Sequence, residues 1–281
     1  MPALCSSESL VIRGVRLAVK HWHATAIKTP VIAVHGWLDN AASFDSLANF
    51  LPGHPIWAID LAGHGRSDHR PSSSDYHLWQ DVLDLALIIE QLSLDSCVVV
   101  GHSRGAAVAI MLACAQPQRV QQLVLLDGLM PLATSASKAP DQLAAFIGGM
   151  QRYVQEKKYS KRYITKTQAY AAREKRGLPL ALSAHLATRQ LIADRQGIMW
   201  GYDTRAHVAS ALKMTREQAD AFLSNVTCQA DIFIANPGFG YYGELIKKAA
   251  QYPAFTWHTV QGHHHFHMEA SHAKSIALCF S

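Results

Sequence analysis

Short apolar runs that alternate with amphipathic helical stretches constrain the fold of this chain more than any other feature of its sequence. Three runs rich in β-branched residues lie at residues 30–34, 55–59 and 97–100. Between the last two runs, residues 76–92 place apolar side chains every three or four positions, which is the spacing of one helix face. Strands that are apolar along their whole length and are separated by such helices are typical of a parallel sheet covered on both faces. The sequence therefore predicts an α/β fold with a mostly parallel central sheet.

The other strand signals lie near the two ends of the chain. Residues 9–23 alternate apolar and polar side chains and predict a hairpin. Later apolar runs predict three more strands, at residues 122–126, 231–235 and 256–260. Between residues 131 and 225 the strand signal vanishes and the pattern is helical. We therefore predict a core domain formed by residues 1–130 and 226–281, with a helical cap inserted at residues 131–225.

The charges are divided unevenly between these two parts. The whole chain has 26 Lys+Arg, 21 Asp+Glu and a net charge of +5, whereas the predicted cap has 15 basic and 7 acidic residues, a net charge of +8. A hydrophobic content of 49% with 17% charged residues excludes intrinsic disorder. No apolar stretch reaches the roughly 18 residues of a membrane span. The basic residues are also too sparse for a nucleic-acid interface, so we expect neither nucleic acid nor a membrane as a partner.

The first 20 residues and the cysteines indicate the compartment. Arg13, Arg16 and Lys20 interrupt any apolar segment there, so we see no secretory signal. The five cysteines are odd in number, widely scattered and without a Cys-x-x-Cys pair, which favours reduced thiols over disulfides or a zinc site. We expect a cytoplasmic protein, a monomer or homodimer, whose partner is a small molecule.

One motif carries a specific chemical meaning. Residues 101–105 read Gly-His-Ser-Arg-Gly and fit G-x-S-x-G, directly after the run 97–100 and directly before the alanine-rich stretch 106–115. A strand, a tight turn and a helix in that order form a nucleophile elbow, which presents a serine above the carboxyl ends of the strands. The alternative is an accidental strand-to-helix turn. We predict that Ser103 is a nucleophile.

Further motifs resemble those of the α/β-hydrolase superfamily. Residues 35–37 read His-Gly-Trp, like the turn that follows an early strand in that family, and residues 60–67 are similar to its D-x-x-G-x-G-x-S loop. The resemblance covers nearly the whole chain except the cap. It implies the α/β-hydrolase fold, and it implies that the backbone N–H groups of Trp37 and Arg104 form an oxyanion hole.

The histidine-rich loop at residues 262–268 resembles the loop that presents the catalytic histidine of that superfamily. Matching its Gly-x-His pattern selects His264 as the general base and leaves His267 a packing or orienting role. A metal-binding tract is the alternative, because histidine-rich runs are a compositional signal for metals. Only Glu269 adds a further ligand type nearby, so we predict no metal and no cofactor.

Five residues are candidates for contact with a substrate. His35, Gly36 and His102 belong to the motif turns around the predicted nucleophile. Trp200 and Tyr202 are large aromatic residues of the predicted cap. They line an aromatic acyl pocket or, alternatively, form the apolar core of the cap itself.

The acid that most members of the superfamily place after the penultimate strand is missing. Residues 234–240 contain no Asp or Glu. Some relatives carry the acid at the end of the strand that follows the elbow helix, and here that position is Asp127. We therefore predict Asp127 as the acid that orients the histidine. Glu244 is the alternative acid, and a local capping role is the alternative for Asp127.

The runs at residues 35–45, 123–129 and 264–267 resemble the serine hydrolase-like branch of the superfamily, and a Gly-Tyr-Tyr sequence at residues 240–242 agrees with it. The resemblance implies a serine hydrolase, most simply an esterase that forms an acyl-enzyme. Two alternatives stay open: a C–C bond hydrolase or perhydrolase with the same triad, and a catalytically weak protein that binds a ligand. A basic run at residues 157–162 either attracts anionic substrates or is a solvated helix face.

Overall fold

The computed structural model describes residues 4–156, 161–175, 177–236 and 251–280. Its strands in chain order are β1 (Cys5–Ile12), β2 (Val15–Trp22), β3 (Val31–Val34), β4 (Ile56–Ile59), β5 (Cys97–His102), β6 (Val120–Leu126), β7 (Arg162–Tyr163), β8 (Leu191–Asp194), β9 (Gly197–Trp200), β10 (Gln229–Asn236) and β11 (Phe255–Gln261). Its helices are α1 (Asp45–Ala48), α2 (Leu78–Gln91), α3 (Arg104–Ala115), α4 (Ala139–Glu156), α5 (Lys166–Glu174), α6 (Leu180–Gln190), α7 (Arg216–Ser224) and α8 (Ala270–Ala277).

In the described part of the chain, eight strands form one sheet in the order β1-β2-β4-β3-β5-β6-β10-β11. The first hairpin joins this sheet in antiparallel fashion through β2 and β4. All the other neighbours are parallel. The predicted α/β fold and the hairpin are therefore confirmed, and the carboxyl ends of β5, β6 and β10 meet at the same edge of the sheet.

Helices cover both faces of this sheet because its central strands are apolar on both sides. Every residue of β3 and β5 is buried. One apolar cluster packs the sheet against α2, α3 and α7, and α2 contributes the predicted apolar stripe through Leu85, Ile88 and Ile89. A second cluster packs the opposite face against α1 and α8.

The inserted segment is not purely helical, which corrects the sequence-based expectation. Its helices α4, α5 and α6 are accompanied by a small antiparallel sheet in the order β7-β9-β8. These strands are two to four residues long and mostly half-buried or exposed, so they produce no run long enough to read as a strand. Among the described residues, no helix combines the length and the apolar character that crossing a bilayer requires.

Buried polar contacts fasten this segment to the sheet domain. The guanidinium of Arg189 in α6 lies 2.7 Å from the carboxylate of Asp60, and both side chains are almost fully buried. Tyr76 donates its hydroxyl to Asp203 over 2.7 Å. Arg205 donates to three backbone carbonyls of the loop that follows β4. The base of the cap is therefore held in one position above the carboxyl edge of the sheet.

Candidate active site

Ser103 occupies a strained turn between β5 and α3. Its backbone adopts φ 52° and ψ −111°, a region that a non-glycine residue enters at a cost of about 1–3 kcal/mol. The turn is tight because its glycine neighbours allow close packing. A Cβ on Gly105 would lie 2.0 Å from the carbonyl oxygen of Val34, and a Cβ on Gly128 would lie 2.5 Å from that of Ser103. This strand, turn and helix is the arrangement that the elbow motif predicts.

Asp127 follows β6 directly and also has a positive φ, of 43°. Its carboxylate is 1% exposed. Oδ2 lies 2.6 Å from Nδ1 of His264, and Oδ1 accepts a hydrogen bond of 2.9 Å from the backbone N–H of Ala235. This is the contact that the predicted acid must make with the predicted base. The alternative acid Glu244 and the Gly-Tyr-Tyr sequence at residues 240–242 lie outside the described residues.

His264 stands in the loop after β11 and keeps about a quarter of its side chain exposed. Burial lowers its pKa from the usual value, while the hydrogen bond with Asp127 acts in the opposite direction. The backbone carbonyl of His264 accepts a hydrogen bond of 3.0 Å from Nε2 of His102. The residue before Ser103 thus ties the histidine loop to the elbow.

A cluster of histidines packs around the hydrogen bond between His102 and the backbone of His264. The ring of His102 lies 4.6, 5.0 and 4.2 Å from the rings of His264, His265 and His267, measured between centroids. Burial lowers the pKa of His102 and lowers that of His267 well below its usual value. Neutral imidazoles pack against one another without the repulsion that charged rings would cause. The location of His267, fully buried beside Phe44, agrees with its predicted packing role.

Asp39 connects this cluster to the cap, and sequence reasoning missed it. One carboxylate oxygen lies 3.1 Å from His265 Nε2 and 3.3 Å from His102 Nδ1, and the other accepts a hydrogen bond of 2.8 Å from Arg173 in α5. Burial by itself would raise the pKa of Asp39, but His265, His102 and Arg173 together hold it well below the usual value. The only signal in the sequence was a charged residue two positions after the His-Gly-Trp turn.

Two of the predicted substrate contacts need correction, because their side chains are sealed inside the protein. His35 is fully buried, with Nδ1 facing the carbonyl of Gly36 at 2.7 Å and Nε2 accepting from the backbone N–H of Leu61 at 3.0 Å. Burial lowers its pKa to about 3. His102 is equally buried between Asp39 and the histidine loop. These side chains hold the turns in place instead of facing a substrate.

Gly36 and Trp200 also act through packing. A Cβ on Gly36 would lie 2.7 Å from His102 Nδ1, so this position admits no side chain. Trp200 is 2% exposed, donates Nε1–H to the carbonyl of Ala169 and carries Arg173 over its ring. The alternative reading of Trp200, as part of the cap's own apolar core, therefore applies.

Ser103 opens into a cavity of about 290 Å³, which we call the elbow cavity. Its lining includes Trp37, Ser103, Arg104, Leu129, Met130 and Ser210. The Trp37 side chain remains 45% exposed and donates Nε1–H to the carbonyl of Ala206 in the cap. Arg104 is the first residue of α3, and the first N–H groups of a helix have no acceptor within the helix. Tyr202 lines a second, larger cavity within the cap.

Two groups of described residues bring three possible metal ligands within 4.8 Å of one another. In the first, Asp39, His102 and His265, the guanidinium of Arg173 already neutralises the carboxylate. The second comprises Asp231, His258 and Cys279, near the start of β10. Its carboxylate faces His258 Nε2 at 3.0 Å and accepts hydrogen bonds from two glutamine side chains. Hydrogen bonds and ion pairs account for both carboxylates.

Comparison with known proteins agrees with this architecture. A family model of the alpha/beta hydrolase fold matches residues 29–181, more than half of the chain. A serine hydrolase-like protein from Danio rerio is 27% identical over 269 residues, covering 89% of this chain and 80% of that protein. Another from Dictyostelium discoideum is 35% identical over 140 residues, but this match covers only 49% of this chain and 38% of the Dictyostelium protein.

A solved structure extends the similarity over the full length. A hypothetical protein from Pseudomonas aeruginosa PAO1 superposes with a TM-score of 0.89 and 33% identity. The match covers 98% of this chain and 97% of the Pseudomonas chain, so it includes the inserted segment as well as the sheet.

Proposed function

Because the chain belongs to the alpha/beta hydrolase family, in its serine hydrolase-like branch, we propose that it is a serine hydrolase that cleaves esters or related acyl compounds. The observation that carries this proposal is the 2.6 Å contact between Asp127 and His264 at the edge of the sheet where the Ser103 elbow lies. This contact supports Asp127 as the acid, because residues 234–240, where most members of the superfamily place it, contain no Asp or Glu.

The proposed reaction begins at the serine hydroxyl. Ser103 Oγ bonds to the carbonyl carbon of the substrate while His264 Nε2 takes the hydroxyl proton. Asp127 keeps the other proton of the ring on Nδ1 and stabilises the imidazolium that forms. His264 then gives its proton to the leaving group, the bond between carbon and leaving group breaks, and an acyl-enzyme remains. Water repeats the sequence and releases the acid, with His264 again carrying the proton.

The negative charge of the tetrahedral intermediate needs donors that are already in place. We assign this role to the backbone N–H groups of Trp37 and Arg104, which belong to residues lining the elbow cavity together with Ser103. Loss of one such donor typically slows the reaction by about 10²- to 10³-fold. Backbone donors keep their position when side chains change, and the strained elbow holds the Arg104 amide at the start of α3.

A fluorophosphonate probe tests the nucleophile directly. We expect covalent labelling of the wild-type protein and none of Ser103→Ala. Ser210→Ala is the matched control, because it removes another serine from the same cavity and should label normally. Labelling that survives in S103A, or no labelling of the folded wild-type protein, would contradict the proposal. A series of p-nitrophenyl esters set against a vinylogous diketone then separates ester hydrolysis from C–C bond hydrolysis.

A further inference from the structure

The cap contains a cavity of about 520 Å³, which we call the cap cavity. Arg152 and Tyr153 of α4 line it on one side, and Tyr202 and His207 line it on another. Ala145, Gly149 and Val208 supply apolar wall. A space of this size with mostly apolar walls and a few polar groups has the composition of a small-molecule site.

The cap cavity and the elbow cavity share a wall. His207, Val208 and Ala209 line the cap cavity, and the next residue, Ser210, lines the elbow cavity. From the core side, Trp37 lines the elbow cavity and its ring packs edge-on against His207 with centroids 5.0 Å apart. Trp37 also carries the backbone N–H that we assign to the oxyanion hole. A long substrate held at Ser103 therefore has the cap cavity as a neighbouring space.

The charged residues described in the lining of the cap cavity are all basic. Arg152 and Lys161 line it, and none of its described lining residues is Asp or Glu. The Lys161 ammonium lies 5.6 Å from the centre of the Tyr163 ring. The segment that carries the cavity has a net charge of +8 in the sequence. Cations at the wall of a low-dielectric cleft attract anions, and arginine binds carboxylate and phosphate through paired hydrogen bonds.

We propose that the cap cavity binds a negatively charged group at the end of the substrate that is remote from the scissile carbonyl. The inference rests on the proposed function and adds a substrate class to it: acyl compounds with an apolar chain that ends in a carboxylate or phosphate. Arg152 and Lys161 bind the anion, and the apolar wall covers the chain. Of the basic run at residues 157–162, residues 157–160 lie outside the described residues and take no part in this argument.

Isosteric esters test the charge preference. The first pair is mono-p-nitrophenyl suberate and the p-nitrophenyl ester of suberamic acid, which differ only in a terminal carboxylate or carboxamide. The second pair, the butyrates of 8-hydroxyoctanoate and 8-hydroxyoctanamide, carries the anion on the alcohol side and is followed by pH-stat. We expect kcat/KM to favour the carboxylate by about tenfold or more in at least one pair, as a charge-assisted hydrogen bond predicts.

The variant Arg152→Gln should reduce that preference about tenfold, because the carboxylate ester loses a charge-assisted hydrogen bond and the carboxamide ester only a weaker, neutral one. Arg195→Gln is the matched control, because Arg195 is an exposed cation in the β8–β9 turn and lies outside the cavity lining. Equal effects of R152Q and R195Q would overturn the proposal by assigning the preference to the overall charge of the cap. Equal kcat/KM for carboxylate and carboxamide in both pairs would overturn it as well.

Binding to Ser103→Ala separates this proposal from the proposed function. Calorimetry with suberamate and suberamide needs no turnover. Tighter binding of suberamate that disappears in S103A/R152Q supports the cap cavity even if the wild-type protein hydrolyses nothing, an outcome that would refute only the hydrolase. Turnover of the esters with equal binding of the two ligands refutes the cap cavity and leaves the hydrolase standing.

Discussion

The loops at the carboxyl edge of the sheet and the cap cavity differ in how deeply their charged and polar side chains are buried. At the edge, Asp39, His102 and Asp127 are at most 1% exposed and each contacts two or more groups at 2.6–3.3 Å. In the cap cavity, Arg152 and Lys161 are exposed cations beside apolar wall. Buried groups held by several contacts keep the fixed geometry that bond cleavage requires. Exposed cations beside an apolar wall are suited to discriminating between charged and neutral substrates. Substitutions in the two regions should therefore affect different quantities.

The largest expected effect belongs to the acid. Asp127→Asn replaces the carboxylate that accepts a hydrogen bond from His264 Nδ1–H with an amide. The amide NH2 group can donate to Nδ1, which favours the tautomer with its proton on Nε2, and that tautomer cannot accept the serine proton. We expect kcat to fall about 10⁴-fold, as in other serine triads, with little change in the unfolding midpoint. Steady-state kinetics and urea unfolding measure the two quantities. Asp68→Asn is the control, because that carboxylate is half exposed and pairs with Arg16 on the surface. Activity of D127N within a few-fold of wild type would remove Asp127 from the triad.

Asp39→Asn should affect stability most. It leaves the Arg173 guanidinium with an uncompensated charge, so we expect the free energy of unfolding to fall by about 2–4 kcal/mol. Because His265 adjoins His264, kcat should fall too. Arg173→Met in the D39N background should recover part of the stability by removing that charge. A loss no larger than that of Asp68→Asn would show that the Asp39 contacts contribute little.

Acid should destabilise the folded protein through two buried histidines at the carboxyl edge of the sheet. Burial lowers the pKa of His35 to about 3 and that of His64 to about 4, against 6.5 in the unfolded chain. Below pH 6.5 the unfolded chain therefore binds protons that the folded protein excludes, and stability falls. From pH 7 to 5.5 each histidine should remove about 1.3 kcal/mol. Urea unfolding at both pH values measures this, and a free energy independent of pH would contradict it.

The smallest effect is expected on the cap surface. Arg162 pairs with Asp194 over 2.6 Å, but both side chains keep roughly a third of their area exposed. Solvent screens such pairs, so Arg162→Gln should leave the thermal midpoint unchanged within error. Arg189→Met, which unpairs the buried carboxylate of Asp60, should lower the midpoint clearly. Similar changes of the thermal midpoint in the two variants would show that the buried contacts at the base of the cap stabilise the protein no more than its surface ion pairs do.

Local sequence signals predicted the parts of the molecule that form locally. The β5 strand, the elbow and α3 follow one another within 19 residues, so hydrophobic pattern and motif together were sufficient. The position of Asp127 at the end of a strand was predictable because parallel strands share their carboxyl edge. Its contact with His264 then required only that the histidine loop lie at that edge.

Contacts between distant segments were not predictable in this way. Asp39 and Arg173 are 134 residues apart, and neither residue belongs to a motif that names the other. The motif turns favour substrate contact for His35 and His102 because both residues flank reactive positions, but the sequence carries no measure of how deeply their side chains are buried. The strands β7, β8 and β9 were missed because half-exposed pairing over two to four residues leaves no periodic pattern.

The position of Asp127 in the chain also affects which segments can be exchanged with those of a homologous protein. Ser103 and Asp127 directly follow neighbouring strands and are 24 residues apart, so the nucleophile and the proposed acid lie on one short segment that precedes the cap in the chain. The cap lies between that segment and the histidine loop. Exchange of residues 131–225 with a homologous protein would then transfer a new selectivity without carrying a reactive group across the junctions. The donor would have to supply partners for Asp39, Asp60 and Tyr76, a donor to the loop carbonyls that Arg205 contacts, and an apolar helix in place of α7, which packs against the sheet.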